Sequence, residues 1–525
     1  MNETFFFLFQ YLKKININID ESDFIFQIQS HPEYPTLLSI CDTLDFYNIE
    51  NRAIHLDFTD FEFLPNIYIA SLNEANNKQD LYLVEKKENK YFITKDRKTF
   101  EISSLDFEKR WNNIVILIEK PEFEIKELNT NKIQLVLPFL SIIIFLILVY
   151  QSRTNLLSKL FFCFPIFGFF LSFAALKDLF GTKITFINNF CNITATSSCN
   201  SIITSKKWKI FSYVNFSDLA IVFFSSQFFG LLTFLIANNS SSYFVIQSFL
   251  LLSSLPIILL SIYYQKFVEK KWCPICLLII LLILIEICYL LVLLPLNYDL
   301  TFRALYIFAL VFVMVLSIWI LFKKILINQK DLRENQLKSN RFIRNYEIFR
   351  NTLLSSEKSQ ILSSPIILGN PIAKTKIQII TSPFCKYCKD SNEMLERILN
   401  KKSKDIQVQL IFKTDLTKVN EEQKSFLRNL IGIYNQKGEV FFREALNFWF
   451  EEKNISKWLQ KFEIFDLNFI EIDLLYNFQN NFCTSQGYNY TPAIFINSFE
   501  YPKLYERENL EFFINDLIED EKINS

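Results

Sequence analysis

Two C-x-x-C pairs stand far apart in this 525-residue chain: Cys273-Pro274-Ile275-Cys276 and Cys385-Lys386-Tyr387-Cys388. Cysteines three residues apart on a helix share a face and can close into a disulfide. A thiolate attacks a disulfide sulfur through a mixed disulfide, so one pair can pass electrons to another. A third pair, Cys191 and Cys199, is eight positions apart. A structural zinc would need two further ligands beside each pair. Only two histidines occur, His31 and His55, both near the N-terminus. No metal site is therefore expected, and thiol redox chemistry is the reading for six of the ten cysteines. Cys163 and Cys288 lie inside apolar runs and read as small buried hydrophobes. Cys483 has no close partner and reads as a packed thiol.

The segment "KIQIITSPFCKYCKDSNEMLERIL" reads strand, turn, helix, with Met394, Leu395, Ile398 and Leu399 on one apolar face. Cys385 and Cys388 then fall at the helix N-terminus, where unpaired N–H groups and the macrodipole favour a thiolate. The effect is strongest on the first cysteine, which makes Cys385 the attacking thiol and Cys388 the resolving one. Further strands are expected at "IQVQLIF" and "AIFIN", with long helical patterns between, which gives an α/β domain over 361–520.

Six apolar stretches are long enough to cross a bilayer, roughly 134–150, 158–179, 214–236, 243–264, 273–295 and 302–323. Cys273 and Cys276 open the fifth of them. Pro274 suits the first helical turn, where its missing N–H breaks no bond. Cys191 and Cys199 lie in the polar segment between the second and third. Residues 324–360 are charged and read as a helical connector. Residues 1–125 precede the spans as a soluble domain, with "LYLVEKK" and "KYFITKD" as strands and "YPTLLSICDTLDFYN" as a helix. The opening "MNETFFFLFQYLKK" lacks a basic n-region and a small-residue cleavage site, and is not read as a signal peptide. A net charge of zero gives no electrostatic case for nucleic acid. No phosphate-cradling G-x-x-x-x-G-K-[ST] loop occurs.

"CNITATSSCNSII", "TSKKWKIFSYVNFSDLA" and "YYQKFVEKKWCPICL" together resemble the bacterial vitamin K epoxide reductase family over a four-helix core at about 155–295. The C-terminal features, with Thr491-Pro492 before "AIFIN", resemble thioredoxin-like oxidases that carry an inserted helical subdomain. In that fold such a proline is cis and faces the redox pair. The N-terminal domain is similar to the papain-like peptidase domain of bacteriocin-exporting transporters. The fold class implied is a multidomain membrane protein: an α+β papain-like domain, a six-span helical region and an α/β thioredoxin-like domain.

These resemblances imply an electron path. Cys385–Cys388 would pass electrons to Cys191–Cys199, then to Cys273–Cys276, then to a membrane quinone, menaquinone or ubiquinone. Cys273 would be exposed to Cys199, and Cys276 would lie nearest the quinone. Tyr263, Tyr264 and Trp272 would line the quinone pocket or anchor the interface. The protein partners would be reduced, cysteine-containing exported proteins. The opposite traffic, a membrane thiol reductant exporting electrons, stays open. A peptidase of this type needs a Cys–His pair, and Cys41, His31, His55 and Gln79-Asp80 do not supply one. The N-terminal domain is then non-catalytic, and a peptide-binding module for leader peptides is the remaining alternative. Glu286, deep in the fifth span, is a functional candidate by its burial in the membrane, with no role in this path.

An even number of spans puts both soluble domains on one side, and disulfide chemistry requires that side to be oxidising. The expected location is a bacterial inner membrane, multi-pass, with periplasmic soluble domains. Lys206, Lys207, Lys209, Lys266, Lys270 and Lys271 run against this orientation; the redox requirement is given the greater weight.

Overall fold

The computed structural model describes residues 5–57, 63–73, 79–87, 90–95, 98–119, 133–176, 216–268, 270, 272–293, 301–462 and 468–524. The chain divides into two compact units, 1–25 with 53–336, and 26–52 with 337–525.

The N-terminal part opens with helices α1 (Phe6–Lys14), α2 (Glu21–Gln29) and α3 (Leu37–Phe46). Phe7, Leu8, Phe9, Tyr11 and Leu12 make α1 a core helix. Strands β1 (Asn51–His55), β2 (Ile67–Asn73), β3 (Gln79–Lys87), β4 (Lys90–Lys95), β5 (Lys98–Ile102) and β6 (Trp111–Ile118) follow, with α4 (Ser104–Arg110) between the last two. They form one sheet in the order β1-β6-β2-β3-β4-β5. Its central strands are buried on both faces, continuously over 68–72 in β2, and Tyr68, Ala70, Val84, Ile93 and Val115 pack beside Phe107.

The membrane part is helical. It comprises α5 (Ile133–Gln151), α6 (Leu156–Leu160), α7 (Cys163–Ala175), α8 (Phe216–Ile236), α9 (Ser240–Tyr263), α10 (Pro274–Leu293) and α11 (Phe302–Ile343). Among the described residues, five helical stretches are long and apolar enough to cross a membrane: Leu156–Ala175, Asp218–Ile236, Ser240–Val268, Pro274–Leu291 and Phe302–Ile343. The expected first span corresponds to a shorter apolar helix, Val136–Gln151. Gly168 lets α7 approach α8, because a Cβ there would overlap the Phe224 ring. Cys163 and Cys288 are exposed, so the expectation that they are buried is corrected. An apolar residue in a membrane span satisfies its chemistry equally well on the outer face of the bundle, so an apolar run does not predict interior packing.

The second soluble domain carries α12 (Tyr346–Leu354), β7 (Ile367–Gly369), β8 (Thr375–Thr381), α13 (Cys388–Lys402), β9 (Ile406–Phe412), α14 (Glu421–Lys437), α15 (Glu439–Glu452), α16 (Ile455–Phe462), α17 (Phe469–Ser485), β10 (Ala493–Ile496), β11 (Phe499–Glu500) and α18 (Leu510–Glu519). Its sheet runs β11-β10-β8-β9-β7. β8 and β9 are parallel, whereas β10 is antiparallel to β8, with Ala493 opposite Ile380. This is thioredoxin topology, with the helices α14 to α17 inserted before β10. A reciprocal capping box between Asn420 and Gln423 starts the insertion. The multidomain arrangement expected from the sequence is borne out, with five rather than six helices of spanning length among the described residues.

Candidate functional site

The C-terminal pair is built by a turn fastened at both ends. β8 ends at Thr381, and Ser382-Pro383-Phe384 leads into Cys385. The Cys385 amide donates to the Ser382 carbonyl at 3.1 Å, and the Cys388 amide donates to the Cys385 carbonyl at 3.4 Å. From the helical insertion, the Trp449 indole N–H donates to the Pro383 carbonyl at 2.8 Å. Phe384 packs edge-on against the same indole at 5.8 Å. The inserted helices therefore hold the turn that presents Cys385.

Cys388 is the first residue of α13 and is buried; Cys385, in the turn, is partly exposed. The Cys385 thiol donates to the Thr491 carbonyl at 3.3 Å, and the Thr491–Pro492 bond is cis. The Thr491 carbonyl thus brings this cis peptide up to Cys385. Burial works to raise the Cys385 pKa. Hydrogen bonds from the Thr491 side chain, the Cys388 thiol and the Tyr387 and Cys388 amides outweigh it and hold the thiol below its ordinary value. Burial pushes the Cys388 thiol up to about 11. The pair is thus a partly exposed, ionisable thiol in front of a buried, protonated one. Cys483 is a packed thiol among Ile380, Ile411, Ala493 and Phe495.

The membrane pair starts α10. Before it, Tyr264–Val268 forms a π turn at the end of α9. Gln265 in that turn is buried, and its side-chain oxygen accepts the Cys273 amide at 3.0 Å. The Cys276 amide donates to the Cys273 sulfur at 3.3 Å. Cys273 is fully buried and Cys276 is partly exposed. The expected approach of Cys273 to Cys199 involves a residue outside the described residues. Tyr263 and Trp272 are 56% and 37% exposed, so both leave aromatic surface open beside the pair in the sequence. Tyr264 is partly buried. Cys191 and Cys199 lie outside the described residues.

Helix direction brings the start of α8 and the start of α10 to one end of the bundle. The Lys323 ammonium and the Trp319 indole of α11 reach Asp218 at the start of α8, at 2.5 and 3.1 Å. Since α9 returns from α8, the start of α10 lies at the same end.

Sequence reasoning left Glu286 unassigned and passed over Gln227 and Gln247. Glu286 is fully buried and accepts from the Gln227 amide at 2.8 Å; Tyr243 donates to the Gln227 carbonyl at 3.0 Å. A glutamine in an apolar run, two helices earlier in sequence, is the signal that could have found this pair. In the N-terminal part, Cys41 sits mid-helix in α3, and burial, then Asp42 and Asp45, push its thiol up to about 11. His31 instead meets Asp42 at 3.0 Å. An uncharged thiol without a base is not a nucleophile.

Residues 159–291 match the Vitamin K epoxide reductase family. The match includes Cys191, Cys199, Cys273 and Cys276. The chain thus carries a domain of that family, which implies an oxidoreductase acting on thiols, among several helices apolar enough to cross a membrane. No curated protein matches it. Among solved structures, it is similar to ScsC of Proteus mirabilis, at 15% identity and a TM-score of 0.26, covering 39% of this chain and 96% of that one. It is also similar to oxidised BdbD of Bacillus subtilis, at 11% identity and a TM-score of 0.26, covering 31% of this chain and 98% of that one. A third is the peptidase domain of Streptococcus ComA, a bi-functional ABC transporter involved in quorum sensing. Here identity is 20% and the TM-score 0.19, covering 21% of this chain and 85% of that one.

Proposed function

We propose that the chain is a quinone-dependent thiol oxidase that re-oxidises its own thioredoxin-like domain to promote disulfide formation in exported proteins. The observation that carries this is the presence of two C-x-x-C pairs, each at the start of a helix and each with one accessible thiol. Cys385 takes electrons from a reduced substrate as the substrate disulfide forms, leaving Cys385 and Cys388 as a dithiol. That dithiol reduces Cys191–Cys199, which in turn reduces Cys273–Cys276. Closing the last disulfide releases two electrons and two protons, and a bound quinone supplies the acceptor for both. Cys276 is the thiol beside that acceptor, and the open aromatic surface of Tyr263 and Trp272, with Tyr264, fits a planar ring at a membrane edge. The soluble domains lie in the periplasm of a bacterial inner membrane.

Quinone reduction by purified protein supplied with a reduced dithiol tests this reading. Cys276→Ala abolishes turnover but leaves Cys273 able to form a mixed disulfide with Cys199. Near-normal turnover in that variant overturns the electron path. Removing both resolving thiols, Cys388→Ala with Cys199→Ala, traps a Cys385–Cys191 bond; a Cys385–Cys273 bond in its place means the loop pair is bypassed. Thiol labelling of intact cells reaches the soluble domains. Protection of both ends reverses the orientation and favours the reductant reading, in which exported proteins gain disulfides when the chain is removed.

A further inference from the structure

We infer that the cavity beside the soluble redox pair is a subsite for a basic side chain, so that the thioredoxin-like domain prefers substrate cysteines flanked by arginine or lysine. This deepens the proposed function and rests on its thiol exchange at Cys385.

The cavity is built from segments that the fold brings to the thiols. The Cys385 thiol meets the Thr491 carbonyl at 3.3 Å, and Pro492, the next residue, lines a cavity of about 500 Å³. A second wall is the first turn of α13, where Asp390 and Ser391 stand two and three positions after Cys388. The third is the loop between β11 and α18. That loop is folded on itself. The Tyr501 hydroxyl donates to the Glu506 carbonyl at 2.8 Å, and the Tyr505 amide donates to the Pro502 carbonyl at 3.0 Å. A volume of this size takes a whole side chain. Its walls adjoin both cysteines, so the residue it takes is a near neighbour of the cysteine that meets Cys385.

Charge and polarity define what fits. Carboxylates at Asp390, Glu500, Glu506 and Glu508 line the cavity against cations at Lys503 and Arg507, an excess of negative charge. Lys503 Nζ lies 3.8 Å from Glu500, and the Tyr490 hydroxyl also donates to Glu500. The excess therefore falls on Asp390, Glu506 and Glu508, all three exposed. Tyr490 adds an exposed ring whose centroid lies 5.8 Å from Lys503 Nζ, the placement in which an aromatic receives a cation. Ser391 is an independent sign of a ligand. It lines the cavity, is 3% exposed, and its hydroxyl has no hydrogen-bond partner among the described residues. Buried hydroxyls are normally paired. A guanidinium or ammonium group carries several donors and no acceptor, so it can give one to Ser391 and others to the carboxylates. An apolar side chain leaves the hydroxyl unpaired, and an acidic one meets like charge.

The test uses the full chain in lipid discs with Cys385–Cys388 oxidised. Two dithiol peptides differ only in the residues flanking their first cysteine, arginine in one and glutamate in the other. A peptide thiolate attacks Cys385 and Cys388 leaves as the thiol; the second peptide thiol then closes the peptide disulfide and releases Cys385. At low salt the arginine peptide reduces the pair about tenfold faster than the glutamate peptide, and the ratio falls as salt screens the cavity. Glu506→Lys/Glu508→Lys, at two exposed positions, brings the ratio to one or below. Because the readout is a ratio within one variant, a general loss of activity does not imitate it. Equal rates in the unaltered chain, or a ratio that survives the charge reversal, overturn the subsite. Versions of both peptides with serine for cysteine separate the subsite from the chemistry. If neither dithiol peptide is oxidised, the proposed thiol exchange fails. Tighter binding of the arginine peptide than the glutamate peptide in fluorescence anisotropy then still supports the subsite, and equal binding overturns it.

Discussion

The two C-x-x-C pairs share a spacing and a helix start, yet they present opposite thiols. In the thioredoxin-like domain the first cysteine is accessible and the second buried; at the membrane the first is buried and the second accessible. The motif cannot cause this difference. What precedes it does. The Trp449 indole holds the Pro383 carbonyl of the turn Ser382-Pro383-Phe384, and Cys385 after it stays partly exposed. The π turn at 264–268 instead brings Gln265 onto the Cys273 amide, and the thiol beside it is enclosed. Spacing sets that two thiols can pair; the turn before them sets which one meets the next partner. The two pairs are thus suited to opposite neighbours, a protein disulfide at the first and a membrane acceptor at the second.

Alanine variants give the largest effect expected from this comparison. Cys385→Ala removes all transfer from reduced protein substrates, while quinone reduction from a small dithiol persists. Cys276→Ala does the converse, losing quinone reduction but retaining mixed-disulfide formation at Cys385. If either variant impairs both steps equally in stopped-flow assays, the division between an outward-facing and a membrane-facing thiol is wrong.

Alkylation measures the same inversion more finely. In the reduced protein, Cys385 and Cys276 are modified before Cys388 and Cys273, as mass spectrometry of quenched samples should show. For the soluble pair the pH dependence follows from the pKa directions. Cys385 is held below its ordinary value, so its thiolate persists below the reference of about 8.5 and its alkylation fades only as pH falls through the lowered value. The same shift stabilises the reduced, folded form. That contribution is fully present above the unfolded value and is lost as pH falls through the folded one. Cys388, pushed up to about 11, stays protonated and slow at neutral pH. Equal rates for Cys385 and Cys388 at neutral pH would remove the asymmetry.

Much of this was legible in the sequence because it is periodic or local. The strand before Cys385, the helix after it and the long apolar helices each repeat a pattern over many residues. What was not legible depends on single side chains meeting over distance. Gln265 reaches Cys273 from eight positions back, across a π turn that no hydrophobic period announces. Gln227 meets Glu286 from another helix. Arg341 and Lys401 find the ends of α2 and α3 from across the chain. Cys163 and Cys288 misled for a related reason, since an apolar run in a membrane has no preferred inside.

The smallest expected effect isolates the turn itself. Gln265→Ala removes the acceptor of the Cys273 amide and leaves both thiols, the helix start and Pro274 in place. One buried amide then lacks a partner, which costs about 1–3 kcal/mol if no water replaces the bond. Loss on this scale does not unfold the bundle, and thermal unfolding should shift by only a few degrees. The informative readout is the ratio of alkylation at Cys273 to that at Cys276. Without the glutamine on its amide, Cys273 becomes more reactive and the membrane pair moves towards the pattern of the soluble one. Gln265→Glu keeps the acceptor and should keep the ratio low. If Cys273 is no more reactive in the alanine variant than in the glutamate variant, the π turn does not decide which thiol is presented, and the contrast between the two pairs needs another cause.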